Sequence, residues 1–522
     1  MKKRILVFGF TIMFLCALTQ KGMAQERKFI LEEATITNIH VALKSGKLTC
    51  HNLVEMYLAR IAAYDKKGPA LNAVLTINPK ILEIADEMDK TYAKSGFVGP
   101  LHCIPMALKD NYDTAGIATT GGSKVLEKLI PPEDAFVVKK LKKAGALVLV
   151  KTNMHELALA GVTVSSLGGQ TLNPYDLTRT PGGSSGGTGV AIASNFAAAG
   201  MGSDTVNSIR SPASACDVVG FRPTKGLLSR AGIIPVSFTQ DAAGPIVRTV
   251  RDAAVMMDVM TGYDPADTAT AWSIGGTKIY TTALKKNGLK GARIGVLRTL
   301  FGTKPEHEEV NRVMEKAIEV MKKQGAVIVE VSDSALDAGK LNSEDDVQRY
   351  EFKTVFNNYL ASLGPNAPVK NLAEFLAVGT YHKPSLEKFL TDTQSLTNPL
   401  NDPDYKDRLL RIAKLQQTVI SLMADNRLDA LVYPLQKRLV VPVGELNQAD
   451  RNGILAGLTG FPAIDVPAGF SSPTATAPLG VPVGLDFFGR PWSEDILFKL
   501  AYSFEQAAKI RRSPVSVPPL AK

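Results

Sequence analysis

The chain has 522 residues, of which 45% are hydrophobic, 21% charged and 7% aromatic. This composition is typical of a large soluble globular protein and excludes a wholly disordered or fibrous chain. The net charge of +10 is spread over the whole length, and four of the cations lie within the first 25 residues. The charge therefore does not indicate a nucleic-acid-binding protein.

The N-terminus has the pattern of an export signal. Residues 2–4 are basic, residues 5–18 are an apolar run, and Gly22 and Ala24 place small residues at positions −3 and −1 of a cleavage site. The apolar run is shorter than the ~20 residues that a membrane-spanning helix needs. We therefore predict a signal peptide at residues 1–25, release into the periplasm or the medium, and no stable membrane insertion after cleavage. An uncleaved N-terminal anchor is the alternative.

Helix and strand patterns alternate in the first half of the chain. Thr49 is placed to cap a helix whose apolar residues recur at helical spacing. Residues 101–108 are mostly apolar and predict a buried strand, with Pro105 at its end or at a sheet edge. Asp134 is predicted to cap a second helix, and residues 146–150 form another strand pattern. Strand, helix and strand in this order predict a parallel pair with a right-handed crossover.

The later part of the chain divides into three regions. Residues 180–189, TPGGSSGGTG, contain five glycines, and a second glycine-bearing segment follows at residues 200–208. A more polar region at about 264–407 is predicted to be peripheral. The chain is then expected to return to the sheet through the strands 428–435, 463–467 and 483–488 and the helices 451–459 and 493–508.

Cysteine and histidine spacing indicates neither a disulfide framework nor a metal site. Behind the predicted signal peptide lie Cys50, Cys103 and Cys216, an odd number at wide spacing, which we interpret as buried apolar residues. None of the six histidines belongs to a zinc-binding pattern. We predict no metal and no organic cofactor.

Three known motifs that could give the glycine-rich segments or the serines of this chain a chemical role do not fit. No phosphate-binding loop pattern is present. Residues 182–186 match GxSxG, but turn-forming residues precede them and no histidine follows His382 to complete a triad. Ser385 to Lys388 match SxxK without a downstream KTG triplet. A serine nucleophile would then need a lysine base, and Lys109 at the end of an apolar segment is a candidate. The alternative is that its ammonium group reaches water or pairs with Asp110.

Four sequence blocks resemble successive blocks of the amidase signature family. They are LHCIPMALKDNYDTAGIATTGGS (101–123), DAFVVKKLKKAGALVLVKTNMHELA (134–158), RTPGGSSGGTGVAIAS (179–194) and GSDTVNSIRSPASACDVVGFRPTKGLLSRAGIIP (202–235). The resemblance resumes near the C-terminus. Together with the predicted signal peptide, it implies an exported bacterial member with one amidase domain at residues 26–522 and a variable peripheral region at about 264–430. The implied fold is α/β, with three α/β/α layers around a central mixed, largely parallel sheet.

The same resemblance implies a Ser-Ser-Lys triad, with Ser208 as the nucleophile, Ser184 as the bridging serine behind a cis peptide bond, and Lys109 as the base. It also implies an oxyanion hole made by backbone N–H groups at the nucleophile, and polar residues that hold the reactive loops. The implied oxyanion-hole residues are Thr205, Val206, Asn207 and Ser208, and the implied loop-holding residues are Ser185, Asp204 and Arg210. For Arg210 we favour a plain structural ion pair with Asp204.

This sequence departs from most relatives just before the nucleophile. Relatives have glycines there, whereas this chain has Val206 and Asn207. A β-branched valine disfavours a positive φ, so either this position has an ordinary φ or the loop is reshaped.

The implied activity is hydrolysis of a carboxamide C–N bond in a linear amide through an acyl-enzyme on Ser208. The expected substrate is a peptide amide or another small amide, and no nucleic acid partner is expected. A catalytically silent binding protein with the same fold is the alternative. A lesser alternative is an amidotransferase-type glutaminase subunit, against which the predicted signal peptide argues. The sequence does not identify the amide or the oligomeric state.

Overall fold

A sheet of eleven strands forms the centre of the described chain, residues 29–520 of the computed structural model. The predicted signal peptide at residues 1–25 lies outside the described residues. The strands, including a separate two-stranded ribbon formed by β4 and β5, are β1 Val74–Ile77, β2 Pro105–Lys109, β3 Leu147–Thr152, β4 Val164–Ser165, β5 Gly169–Gln170, β6 Ala199–Asp204, β7 Val219–Arg222, β8 Ala242–Val247, β9 Arg293–Leu297, β10 Val327–Val331, β11 Ala430–Pro434, β12 Ala463–Phe470 and β13 Pro482–Phe488.

Helices follow most of the strands and cover the sheet. They are α1 Ile36–Lys44, α2 Cys50–Tyr64, α3 Ile81–Ser95, α4 Phe136–Lys143, α5 Gly186–Ala193, α6 Arg210–Ala215, α7 Val250–Met260, α8 Glu308–Lys323, α9 Ala338–Glu344, α10 Gln348–Ser362, α11 Leu372–Val378, α12 Lys383–Ser395, α13 Pro403–Asp425, α14 Ile454–Thr459 and α15 Glu494–Ala508. Within the part of the chain that the structure describes, no helix combines the length and the apolar character needed to cross a membrane.

The large sheet is mixed, in the order β1-β3-β2-β6-β8-β7-β12-β13-β11-β9-β10. Parallel pairing is confined to β2 with β3 and β6, and to β9 with β10 and β11. The other pairings are antiparallel. The predicted α/β class with a mixed central sheet is confirmed, but "largely parallel" needs correction. Strands such as β12 and β13 are joined without an intervening helix, and such a short connection produces an antiparallel pair.

Opposite faces of the sheet are covered by different helices. Adjacent residues of a strand face opposite sides. On β13, Asp486 contacts Arg210 at the start of α6 at 2.5 Å, whereas Phe487 packs against Phe504 of α15 with ring centroids 6.0 Å apart. The α6 and α15 helices therefore lie on opposite faces, which gives the three-layer α/β/α arrangement.

Two of the sequence signals for the first helices had different outcomes. The Thr49 side chain accepts a hydrogen bond from the Asn52 backbone at 3.1 Å and caps α2, as predicted. The predicted cap at Asp134 is wrong, because α4 begins after Ala135 without a side-chain cap. The Asp134 carboxylate instead accepts from the Ala115 backbone at 2.9 Å and pairs with Lys142 at 2.7 Å.

The region around residues 264–430 contributes more than surface loops. It supplies β9 and β10 at one end of the large sheet. Its helices α10 and α12 place Phe352 and Leu386 in a buried cluster that also contains Met154 and Ile234. These helices thus pack on two segments, one directly after β3 that contains Met154 and one before β8 that contains Ile234.

The expectation of unbridged cysteines is corrected for one pair. Cys50 and Cys103 form a disulfide with their Cα atoms 5.4 Å apart, while Cys216 is a buried free thiol. The sequence separation of 53 between the two cysteines conceals this pairing, because the pairing depends on α2 packing against the segment before β2. One bridge in a chain of this size supplements the hydrophobic core.

Candidate active site

The three residues implied as a triad lie on three different segments at one edge of the sheet. Lys109 is the last residue of β2, and Ser208 lies between β6 and α6. Because β2 and β6 are parallel neighbours, their carboxyl ends meet at the same edge. Ser184 lies just before α5, and its backbone carbonyl accepts from the His155 N–H at 2.9 Å. The N–H of Ser185 donates to the Ser208 carbonyl at 3.2 Å, which ties two of the segments together.

The glycine-rich loop allows the backbone to approach its neighbours closely. Gly182 has a φ of 71°, and a Cβ there would lie 2.7 Å from the Ser211 hydroxyl oxygen. A Cβ on Gly183 would lie 2.8 Å from the carbonyl carbon of Gly161. The peptide bond between Gly183 and Ser184 is cis. Larger residues at these two positions would push the loop away from the sheet edge.

The Lys109 amine is buried and surrounded by hydroxyl and carbonyl oxygens. Its Nζ lies 2.7 Å from Ser184 Oγ, 2.8 Å from Ser203 Oγ and 3.4 Å from the Ser203 carbonyl oxygen. Burial lowers the pKa of Lys109 to about 7, while the charges of Asp204 and Asp241 act to raise it. An amine with this pKa is about half neutral at pH 7, and a neutral amine can accept a proton. The alternative ion pair with Asp110 is not formed, because Asp110 pairs with Lys151 at 3.2 Å.

Ser203 and Asn111 complete the environment of this amine, and sequence reasoning missed both. Ser203 Oγ also accepts from Asn111 Nδ2 at 3.0 Å. A neutral lysine has two N–H donors and one lone pair. If both donors are used by the Ser203 oxygens, the lone pair is left for the Ser184 hydroxyl. Both residues lie in the quoted sequence blocks, but only the pairing of β2 with β6 brings their side chains together.

Ser208 is 6% exposed, and within residues 29–520 its hydroxyl forms no hydrogen bond, including none with Ser184. The structure thus joins Lys109 to Ser184 and holds Ser208 on the adjoining segment. Hydrogen bonds between catalytic groups often close only when substrate binds.

The segment before Ser208 presents free backbone donors. In the described chain, the N–H groups of residues 205–208 donate no hydrogen bond, whereas the next N–H, of Ile209, donates to Asp204 at 3.1 Å. Neither Val206 nor Asn207 has a positive φ, so the first of the two expected alternatives, an ordinary φ, is the one observed. Four unused donors in a buried loop match the requirements of an oxyanion hole.

A buried charge network holds this segment in place. Arg210 donates to Asp204 at 3.2 Å, to Asp486 at 2.5 Å, and to the carbonyls of Val206 and Gly453 at 2.7 and 2.9 Å. The expected ion pair with Asp204 is present, but Arg210 also fixes the backbone of the oxyanion segment. Although burial acts to raise it, the charges of Arg210 and Arg222 hold the pKa of Asp204 below its ordinary value.

The Ser185 side chain lies on the strand side of the glycine loop. Its hydroxyl donates to the Ser203 carbonyl at 3.3 Å. The same carbonyl lies 3.4 Å from Lys109 Nζ. Ser185 therefore connects the glycine loop to the end of β6 beside the amine.

A neutral histidine lies behind the glycine loop. Burial, together with the charges of His382, Arg451 and Lys109, lowers the pKa of His155 to about 3. Ser385, which begins the SxxK match, lies 3.0 Å from His155 and 2.8 Å from His382. This contact ties α12 to the back of the site.

In each of two places, three side chains of types that can bind a metal lie close together. They are Cys50, His102 and Cys103, and Glu306, His307 and Asp450. Two members of the first group form the disulfide. In the second, His307 contacts Asp450 at 3.2 Å. Within the described residues, neither group hydrogen-bonds a residue of the implied triad.

Comparison with known proteins identifies a family. The model of the family "Amidase" matches residues 52–498. A probable amidase of Arabidopsis thaliana is 34% identical over 515 residues, covering 93% of this chain and 92% of the relative. One subunit of the glutamyl-tRNA(Gln) amidotransferase of Caldanaerobacter subterraneus is 32% identical, covering 93% of this chain and 99% of the relative. The crystal structure of the native peptide amidase of Stenotrophomonas maltophilia superposes with a TM-score of 0.85 at 35% identity, covering 93% and 99% of the two chains.

Proposed function

The chain belongs to the amidase family, and on that premise we propose that it hydrolyses the C–N bond of a carboxamide through an acyl-enzyme on Ser208, with Ser184 and Lys109 as the proton relay. The observation that carries the proposal is the buried Lys109 amine at 2.7 Å from Ser184 Oγ. Its depressed pKa makes it a base near neutral pH.

The proposed reaction starts with proton transfer along the relay. Neutral Lys109 accepts the Ser184 proton while Ser184 accepts the Ser208 proton, and the Ser208 oxygen attacks the amide carbonyl carbon. The proton then returns to the leaving nitrogen, the C–N bond breaks, and an ester on Ser208 remains. Water attacks this ester by the same relay, which releases a carboxylic acid and regenerates the serine.

The backbone donors of residues 205–208 are proposed to bind the carbonyl oxygen as it becomes negatively charged. Each such donor typically contributes about 3 kcal/mol to lowering the barrier. Three carbonyls of the same segment are already engaged as acceptors: Val206 by the Arg210 side chain, Asn207 by the Ser211 N–H and Ser208 by the Ser185 N–H. This arrangement directs the donors rather than the acceptors toward the reacting carbonyl.

A peptide amide or another small linear amide is the proposed substrate class, and the protein is proposed to act after export. Similarity to the Stenotrophomonas peptide amidase over nearly the whole chain supports the substrate class. The leader-like pattern at residues 1–25 supports export.

A glutaminase subunit of an amidotransferase is the second candidate. The observation that favours it is 32% identity with the Caldanaerobacter amidotransferase chain along 99% of that chain. The predicted signal peptide argues against it. Ammonia release from free glutamine without release from any peptide amide would support this second candidate instead.

Covalent labelling tests the proposal directly. The purified protein is treated with a fluorophosphonate, and the modified residue is identified by peptide mass spectrometry. We expect labelling of Ser208 that is lost in Lys109→Ala. Ser211→Ala is the matched control, because it removes a buried hydroxyl three residues away that has no hydrogen-bond partner in the described chain. Absence of any labelled serine would support a silent binding protein, and labelling of Ser385 would identify a different nucleophile.

A further inference from the structure

A guanidinium group without a partner lies beside the candidate active site. Arg451 is partly buried. Within residues 29–520, its side chain forms no hydrogen bond and no ion pair. A partly buried arginine loses part of its solvation, which a hydrogen bond or an ion pair usually compensates. The missing partner therefore points to a group that binds there.

Arg451 lies between the glycine-rich loop and the oxyanion segment. Its Nη1 atom lies 3.2 Å from the position of a Cβ on Gly161, whose carbonyl carbon abuts Gly183 next to Ser184. Two residues further along the chain, a Cβ on Gly453 would lie 2.9 Å from the Val206 carbonyl oxygen. Its charge is also among the causes of the lowered pKa of His155.

Arg451 also borders a cavity of about 470 Å³ whose acidic groups are already engaged. Lys437 lies 3.7 Å from Asp337 in this cavity, and His307 lies 3.2 Å from Asp450. The wall therefore has an excess of positive charge around Arg451.

Asp346 is the carboxylate whose charge acts to raise the pKa of Arg451, but its oxygens are bound by another residue. Its two oxygens accept from the backbone and side chain of Gln348 at 2.8 and 2.6 Å. Burial lowers the pKa of Arg451, but a guanidinium group stays protonated in proteins. Arg451 thus remains a cation with a free, planar set of donors.

We propose that Arg451 is a specificity-determining residue that binds a carboxylate on the acyl part of the amide substrate. The planar fork of an arginine matches the two oxygens of a carboxylate. Amides of acidic compounds, such as a peptide amide with an acidic residue, are then the preferred substrates. This inference rests on the proposed amidase function.

A matched pair of substrates tests it. The α-amides of N-acetylglutamate and N-acetylmethionine have side chains of similar length and differ in charge. In Arg451→Gln, we expect kcat/KM for the glutamate amide to fall about tenfold or more, mainly through KM. The kcat/KM for the methionine amide should change by no more than about twofold, because the substitution removes no contact to this substrate. Arg451→Lys keeps the charge without the fork and should retain part of the preference.

Two further measurements distinguish a specific role of Arg451 from a general effect of positive charge in this region. Arg438→Gln removes a neighbouring cation that lies 4.0 Å from Asp450, and it should leave the substrate preference unchanged; an equal loss in this control would overturn a specific role for Arg451. Calorimetry should show that N-acetylglutamate binds the wild-type protein more tightly than Arg451→Gln, whereas N-acetylmethionine binds both alike. Equal hydrolysis of both amides, unaffected by Arg451→Gln, overturns the inference but not the amidase function. Failure to hydrolyse any amide, together with an unlabelled Ser208, would refute the function itself.

Discussion

The pH dependence of activity provides the most direct test of Lys109 as the base. Burial lowers its pKa from the ordinary value of 10.5 to about 7. Only the neutral amine accepts the Ser184 proton, so kcat/KM should rise with pH and level off above neutrality.

The size of the rise follows from the neutral fraction. With a pKa near 7, the neutral fraction is about 10% at pH 6 and about 90% at pH 8. The expected increase in kcat/KM between these pH values is therefore about tenfold. An ordinary surface lysine would give activity that still rose steeply beyond pH 9.

A substitution at Asp241 changes the same pKa without touching the relay. Asp241 acts to raise the pKa of Lys109, and its carboxylate accepts from the Thr205 hydroxyl at 2.6 Å and from the Val236 and Ser237 backbones. In Asp241→Asn, the loss of one negative charge disfavours the ammonium form. We therefore expect the midpoint of the profile to move to lower pH.

The assay is steady-state hydrolysis of an uncharged amide between pH 5.5 and 9.5 at constant ionic strength. A midpoint that does not move in Asp241→Asn would contradict the assignment of the base. A profile that is flat between pH 6 and 8, or a midpoint that disappears in His155→Gln while Lys109 is intact, would refute the lysine mechanism.

The remaining predictions concern stability and positioning. Lys109→Met should be inactive yet have a higher free energy of unfolding at pH 6. Keeping a charged lysine in this site costs the wild-type protein about 4–5 kcal/mol, whereas each hydrogen bond that the substitution removes contributes only about 1 kcal/mol. Urea denaturation should show this gain shrinking from pH 7 to 10.5, as the wild-type protein becomes more stable; a constant gain would contradict the assigned pKa. Cys50→Ala should lower the free energy of unfolding by about 2–4 kcal/mol without reductant, and a loss that persisted in reductant would exclude the disulfide as its cause. Ser203→Ala should lower kcat about tenfold with little change in KM, since the lysine loses the acceptor that orients its N–H groups; a change in KM alone would contradict this role.

The candidate site residues could be proposed from sequence because they lie in local, ordered blocks. Residues 101–108 have the pattern of a buried strand, and the structure confirms a buried strand there, although β2 begins only at Pro105 and ends at Lys109. The glycines around Ser184 likewise indicate a loop whose backbone packs closely against neighbouring segments. What these blocks cannot give is the pairing between distant segments. Asn111 and Ser203 come together only through the register of β2 against β6.

The disulfide and the outer part of the sheet could not be predicted for a related reason. Cys50 and Cys103 are separated by a helix, a strand and another helix, so their proximity depends on tertiary packing. The sequence predicts a peripheral region at about 264–407 because its residues are polar and charged, and the strands β9 and β10 lie within it. β9 joins the sheet through parallel pairing with β11, far along the chain, and β10 pairs in turn with β9. A pairing between distant segments leaves no local pattern in the sequence.

The proposed base and the proposed oxyanion segment depend on one electrostatic arrangement. Asp204 ends β6 beside the Lys109 amine, and an isolated carboxylate in that position would stabilise the ammonium form and remove the base. Arg210 and Arg222 contact this carboxylate at 3.2 and 2.8 Å, so its negative charge is largely balanced. The same Arg210 binds the Val206 carbonyl within the segment of unused backbone donors. Losing Arg210 would therefore raise the pKa of Lys109 and disorder the oxyanion donors together. In Arg210→Met we expect a lower plateau of kcat and a midpoint shifted to higher pH, and a lower plateau with an unshifted midpoint would show that Arg210 does not set the charge at Asp204.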